Sequence, residues 1–167
     1  MELATTLIPA NDVRLTTPTV RFDFKADAPF TVEQIVNHML TVMSTQNGLG
    51  LAANQIGLPY SIFVVHGDPF ACINPRIIDS STEEVLLDEG CLTYPGLTVK
   101  VKRPKSIRLR WDTITGSTET KTFTGMTARV IQHEMDHLAG KIYFNRASKF
   151  HRDQAFRKQT KRIVKKI

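Results

Sequence analysis

The sequence predicts one domain in which helices and strands are segregated along the chain, and three observations predict it. A helical apolar period runs over residues 31–47, a β-rich stretch punctuated by Gly and Pro fills residues 71–124, and a second helical period carrying a metal-binding pattern follows at once. At 167 residues and 41% hydrophobic content the chain suffices for one sizeable core and is too short for two to be expected.

Taken in order, residues 1–25 are Thr-rich with short β-leaning pieces, and predict an irregular arm or edge strands around Pro9, Pro18 and Pro29. Thr31 and Gln34 then form a capping box, and Ile35, Met39, Val42 and Met43 recur at helical spacing until Asn47-Gly48 stops them. His38 lies on this helix with no partner motif and reads as a surface or satisfied core histidine. The following Gly48-Leu49-Gly50-Leu51-Ala52-Ala53-Asn54-Gln55 matches the dinucleotide-binding string G-x-G-x-x-A. That string needs a strand before it and a helix after, whereas here a helix precedes and residues 60–65 read as a strand. Its small residues indicate instead a backbone that something approaches closely, beside an amide, Gln55, able to donate and accept hydrogen bonds. The plainer alternative is a turn that merely packs tightly. Strands are then expected at Cys72, Ile73 and Asn74 before Pro75, and at residues 85–87, 97–101, 107–111 and 118–123. Gly125 and Thr127 offer a helix start, Met126, Val130 and Ile131 supply apolar spacing toward a core, and Gly140 ends the pattern. Residues 148–167 read as a last helix, with Phe150, Ala155 or Phe156, Ile163 and Val164 spaced for partial burial.

Chemistry concentrates in Gln132-His133-Glu134-Met135-Asp136-His137-Leu138-Ala139-Gly140. On a helix His133 and His137 are one turn apart, so both imidazoles leave one face and can share a divalent metal, with Glu134 beside them to take a proton from metal-bound water. A surface His pair is the bland alternative. A catalytic site keeps three protein ligands and one open position, so one ligand is missing. The place six residues beyond His137, where some H-E-x-x-H proteases carry a third His, holds Tyr143, and no Glu follows Glu134. After His137 the sole acid is Asp153, in a strongly basic segment, which directs the search upstream, where a Cys suits the site. Cys91, beside Glu89 and Gly90, is the better candidate, against a buried inert thiol; Cys72, in a short apolar strand, better fits that inert role.

Net charge is +6, yet residues 141–167 hold ten Lys/Arg against Asp153, so the tail alone is +9 and the first 140 residues are −3. No apolar run is long enough to cross a membrane and residues 1–10 lack a secretory pattern, so a soluble, cytoplasmic protein is expected. The two cysteines are then better used as a thiolate ligand than as a disulfide. The basic tail is either a solvated face or an electrostatic handle for RNA.

Together, residues 48–55, Glu89-Gly90-Cys91-Leu92-Thr93 and residues 132–140 resemble the three signature motifs of peptide deformylases, in that family's order and at similar spacing. The resemblance runs over most of residues 31–147. It implies an α+β fold in which antiparallel β-sheets surround the helix bearing the two histidines, and removal of the formyl group from N-formylmethionine of nascent peptides with release of formate. Carried across, Cys91, His133 and His137 are the metal ligands, for Fe(II) natively with Zn or Ni as substitutes. Glu134 is the general base and acid, with the oxyanion held by the metal, the Gln55 amide and the Leu92 backbone N–H. Backbone groups near Leu49, Gly50 and Gly90 pair with the extended peptide, Met126 and Val130 line the methionine pocket, and Gln132 and Glu89 orient a ligand or an N–H group. A monomer is expected, with the ribosome as partner of the basic tail. Thr93 stands where the family usually has Ser, and residues 94–100 lack an Arg that some bacterial members place near the substrate. The rival expectations are another metallohydrolase, such as a protease or another amide deacylase, favoured if an unformylated peptide is cut internally, and a non-enzymatic RNA-binding protein whose structural metal would take four protein ligands.

Overall fold

The computed structural model describes residue 3 and residues 6–66 and 70–164. Thr31 accepts from the Gln34 N–H at 3.2 Å while Gln34 Oε1 accepts from the Thr31 N–H at 2.9 Å, and this capping box opens α1 (Val32–Thr45). The helix stops as expected, with Asn47 in the left-handed region at φ 53°. Its inner face buries Val32, Ile35, Val36, Met39, Val42 and Met43.

Seven strands follow in two antiparallel sheets. β1 (Gly50–Ala52), β2 (Ile62–Val65), β3 (Phe70–Ser80), β6 (Ser106–Asp112) and β7 (Thr118–Thr124) form a sheet of order β1-β2-β3-β6-β7. β4 (Glu84–Cys91) and β5 (Tyr94–Pro104) form a two-stranded sheet. β2 is buried at all four positions because the sheet is covered on both faces. Ile62 and Val64 join the cluster under α1, whereas Phe63 and Val65 join Cys72, Leu109 and Ile131 on the opposite face. That second face is covered by α2 (Gly125–Leu138), which packs on β1, β2 and β7 and also on β5 of the smaller sheet. The histidine-bearing helix is thus held between the two sheets.

Two expectations, the end of β3 and the burial of the last helix, need correction, and two other regions take definite form. β3 does not end at Asn74-Pro75: Asn74 sits at φ 52° in a bulge between Ile73 and Arg76. Its side chain ties the bulge to the arm, accepting from the Phe22 N–H at 2.7 Å and donating to the Phe22 carbonyl at 3.0 Å. Residues 48–55 form a strand, β1, and enter a 3₁₀ turn (Ala53–Ile56). Of the two readings of the arm the irregular one fits: its described residues form a 3₁₀ turn (Val13–Leu15) and a single bridge from Val20 to Tyr60. The last helix, α3 (Lys149–Val164), buries Ala155 alone, while Phe150, Phe156, Ile163 and Val164 stay exposed. Its contact is one narrow strip over β5, and the other apolar positions lie about 80° or more around the helix from Ala155. Residues 165–167, included in the expected tail helix and carrying Lys165 and Lys166, lie outside the described residues, as do residues 1, 2, 4 and 5 of the arm.

Gly140 ends α2 at φ 66°, where a Cβ would come within 2.6 Å of the Thr16 carbonyl oxygen. Both the backbone conformation and the space require glycine. Gly140→Ala should lower Tm in a thermal melt by roughly 3–10 °C.

Candidate metal centre and its cavity

α2 sets the His133 and His137 rings 5.0 Å apart, centroid to centroid. The end of β4 brings Cys91 Sγ to 3.2 Å from His137 Nε2. Potential ligand atoms of Cys91, His133 and His137 all lie within 4.8 Å of one another, the spacing one ion needs. Cys72 is fully buried among apolar side chains and burial pushes its thiol up, so the structure puts it in the inert role and separates it from the cluster.

The cluster is aimed by neighbours. His133 Nδ1 lies 3.2 Å from Glu89 Oε2, which turns Nε2 of the same ring away from Glu89. Glu89 also accepts from Arg103 Nε and Nη2 at 2.6 and 2.9 Å and from Arg129 Nη1 at 2.7 Å. Arg103 continues to Asp136 Oδ2 at 2.8 Å, and Arg146 closes the chain on the other oxygen of Asp136. Burial opposes ionisation of Glu89, but hydrogen bonds from His133 and Arg103 and their positive charge outweigh it and hold the carboxyl at about 2. Burial likewise opposes charging of His133, yet its contacts with Cys91 and Glu89 raise the ring to about 10. Negative groups that hold a proton there also favour a cation in its place. His137 is pushed down to about 3 by burial and then by the positive potential of His133 and Arg103. Its Nδ1 has no partner among the described residues, but its carbonyl accepts from Asn54 Nδ2 at 2.6 Å.

Glu134 is buried, and burial raises its carboxyl to about 7. Its Oε2 has no partner among the described residues. An orphaned carboxylate oxygen beside a Cys/His/His set fits a site built for a cation and a transferable proton. Gln55 Oε1 accepts from the Ala52 N–H at 2.9 Å, which points Nε2 at Thr93 Oγ1, 3.0 Å away, and at Cys91 Sγ, 3.6 Å away. Thr93 therefore supplies the hydroxyl partner that a Ser would.

A cavity of about 370 Å³ opens here. Cys91, His133, Glu134 and Gln55 line it together with Leu49, Gly50, Gly90, Leu92, Met126 and Val130, so every residue expected in the site except His137 lies on its wall. His137 sits behind them. Met126 is 56% exposed, so it faces the cavity rather than the core that its spacing suggested. A methyl group on Gly50 would run into Glu134 and Val130, which explains the bare backbone there. Gly90 has ordinary φ; the break at Cys91 is a shift in pairing between β4 and β5, not a glycine turn. Gln132 touches no candidate ligand: its amide donates to the carbonyls of Pro104 and Ala128, both at 3.0 Å, and ties α2 to β5. Arg103, Arg129, Asp136 and Asn54 were not identified from the sequence. Tyr143, noted only for not being a third histidine, donates to the Leu97 carbonyl and lies 5.3 Å from the His133 ring.

An H-E-x-x-H helix between two antiparallel sheets, with a cysteine delivered by the smaller one, defines a metal-dependent hydrolase. A family model for polypeptide deformylases matches residues 5–153. The chain is 35% identical to a peptide deformylase of Wolbachia pipientis over 93% of each protein. A plant peptide deformylase superposes with TM-score 0.87 and 30% identity over 99% of this chain and 92% of the other. That of Synechococcus elongatus, solved with actinonin, gives TM-score 0.83 and 30% identity over 92% and 85%. The chain belongs to the peptide deformylase family, whose general function is the deformylation of nascent peptides.

Glu89 accepts charged hydrogen bonds from two buried arginines, so Glu89→Gln should cost about 3–5 kcal/mol in urea unfolding at pH 7. Its carboxyl is near 2 when folded against an ordinary 4.5, so its contribution is complete above about 4.5 and fades as pH falls toward 2. The difference between wild type and variant should shrink across that window.

Proposed function

We propose that this chain hydrolyses the formyl amide of N-formylmethionyl peptides, with Cys91, His133 and His137 as metal ligands and Glu134 as the proton carrier. The observation that carries the reading is the buried Glu134 carboxylate with one oxygen unpartnered, lining the cavity beside the Cys/His/His cluster. Mixed sulfur and nitrogen donors suit Fe(II), with Zn or Ni as alternatives, and the bound ion supplies a Lewis acid that polarises the formyl carbonyl and acidifies water.

The chain's own groups do the rest. Glu134 takes a proton from the attacking water and returns it to the leaving amine, a role suited to a carboxyl that burial has raised to about 7. The Gln55 amide N–H and the Leu92 backbone N–H hold the developing oxyanion; losing one such donor costs about 100- to 1,000-fold in rate. Gln55 is already oriented by Ala52 and Thr93, so little reorganisation is needed. β1 is an edge strand paired, among the described residues, with β2 alone, which leaves backbone around Leu49 and Gly50 for an extended peptide, with Gly90 opposite. Met126 and Val130 receive the methionine side chain.

The proposed catalytic groups come together within a single chain, so the reading requires no second copy. Among the described residues no helix is long and apolar enough to cross a membrane. Arg157 and Lys161 are exposed on the side of α3 away from Ala155, and serve as an electrostatic handle on ribosomal RNA. Ribosome co-sedimentation should be lost above roughly 0.3 M salt; binding indifferent to salt would exclude the handle.

Protein purified anaerobically with Fe(II) should release formate from formyl-Met-Ala-Ser. Glu134→Gln should lose at least about 100-fold in turnover while retaining its metal by elemental analysis. No formate from metal-loaded wild type, or internal cleavage of an unformylated peptide, would sink the reading.

A further inference from the structure

A second cleft of about 390 Å³ shares Asp88, Gly96 and Thr98 with the catalytic cavity, so the two are continuous along the start of β5. Its far wall is α3, which offers Lys158 and Arg162. Both are exposed, and neither has an acidic partner among the described residues. The one acid in the cleft wall, Asp88, is paired with Lys100 at 3.8 Å. What remains is uncompensated positive charge. α3 is not loosely placed: Ala155 is buried against β5, and Gln159 Nε2 donates to the Pro95 carbonyl at 3.4 Å. Lys158 and Arg162 are one helical turn apart, about 6 Å, which matches about two residues of an extended peptide.

Resting on the deformylase reading above, we propose that this cleft is the track for substrate residues beyond the second, and that Lys158 and Arg162 make it select acidic side chains there. The chemistry favours it. A formylated N-terminus carries no positive charge, so nothing at the reacting end opposes an anionic segment in a basic cleft. The shared wall of Gly96 and Thr98 gives residues after the second a continuous path from the catalytic cavity into the cleft. Exposed charges of this kind act mainly on binding and encounter, so the selectivity should sit in KM.

The test uses metal-loaded full-length enzyme and C-terminally amidated formyl-Met-Ala peptides extended by four residues, with Asp, Gln or Lys at each of positions three to six in turn. At about 20 mM salt, Asp at one or two adjacent positions should raise kcat/KM about three- to tenfold over Gln, through KM, and Lys should lower it. The effect should fade by about 0.5 M salt, where the Debye length is about 4 Å. The double substitution Lys158→Gln and Arg162→Gln, both at exposed positions, should remove the preference while leaving turnover of formyl-Met-Ala amide unchanged. Changing both to Glu should reverse it. Equal kcat/KM for Asp, Gln and Lys peptides that are all deformylated would overturn the proposal, as would a preference that survives the double substitution. Absence of formate from every peptide, formyl-Met-Ala-Ser included, would instead overturn the deformylase reading and this inference with it.

Discussion

The Glu89 carboxylate is where β4, β5 and α2 meet, and the metal centre depends on how its charge is met. A carboxylate taken out of water costs several kcal/mol unless its oxygens are fully hydrogen-bonded. Here two bonds come from Arg103 on β5, one from Arg129 and one contact from His133 on α2. Each donor is on an element other than β4, so the charge is stable only when the small sheet lies against the helix in one register. Cys91 is two residues beyond Glu89 on the same strand. Fixing Glu89 therefore fixes the thiol against His137.

The same network divides labour between charges. Two arginines already neutralise Glu89 and Asp136 in the interior, while Arg146, about half exposed, adds a contact from the rim. A metal taking the place of the extra proton on His133 would leave the ring neutral, with Nδ1–H given to Glu89 and the Nε2 lone pair free to ligate. Glu134, on the cavity side of the same helix, has no such partner at Oε2 among the described residues. Two buried glutamates close to one imidazole are thus driven in opposite directions, one to about 2 by bonded cations and one to about 7 by burial without them. The first is a fixed anion; the second can carry a proton near neutral pH.

Much of this was legible. The Thr31/Gln34 capping box, the helix ended by Gly140 and the one-turn histidine pair are local patterns, and local patterns survive folding. Eliminating downstream candidates only sent the search for a third ligand upstream; the choice of Cys91 over an inert thiol rested on the family resemblance. β1 escaped notice because three residues are too few to show a period of two, and its strand character comes from pairing with β2. β3 was cut short because Asn-Pro usually ends a strand, whereas here the Asn74 side chain reaches Phe22 across 52 positions. Arg103 did leave a trace: Leu97, Val99 and Val101 alternate inward, and Arg103 takes the next inward place. A charge at the apolar phase of an alternating strand announces a buried partner. Naming Glu89 and Asp136 as those partners required the fold. The exposed apolar side chains of α3 were misjudged for the converse reason, since spacing shows which residues share a face but not whether anything covers it.

Gly50 joins these threads. The backbone of β1 lies against the Glu134 carboxylate with no room for a methyl group, and β1 pairs with β2 along one edge while, among the described residues, its other edge stays open. In the proposed reading a peptide added to that edge would lie directly over the general base, so strand addition and proton transfer share one glycine. The opposite side of the cavity belongs to the other sheet, through Gly90 and Leu92. An extended substrate bonded to both would bridge two sheets that have no strand in common. Its bonds to β1 would set the formyl carbon relative to Glu134, and those to the Gly90 segment would set it relative to Cys91. The distance between base and ligand is fixed independently, by Glu89 gripping α2. Substrate binding need not assemble the chemistry; it has only to align the amide with groups that burial and charge already hold in place.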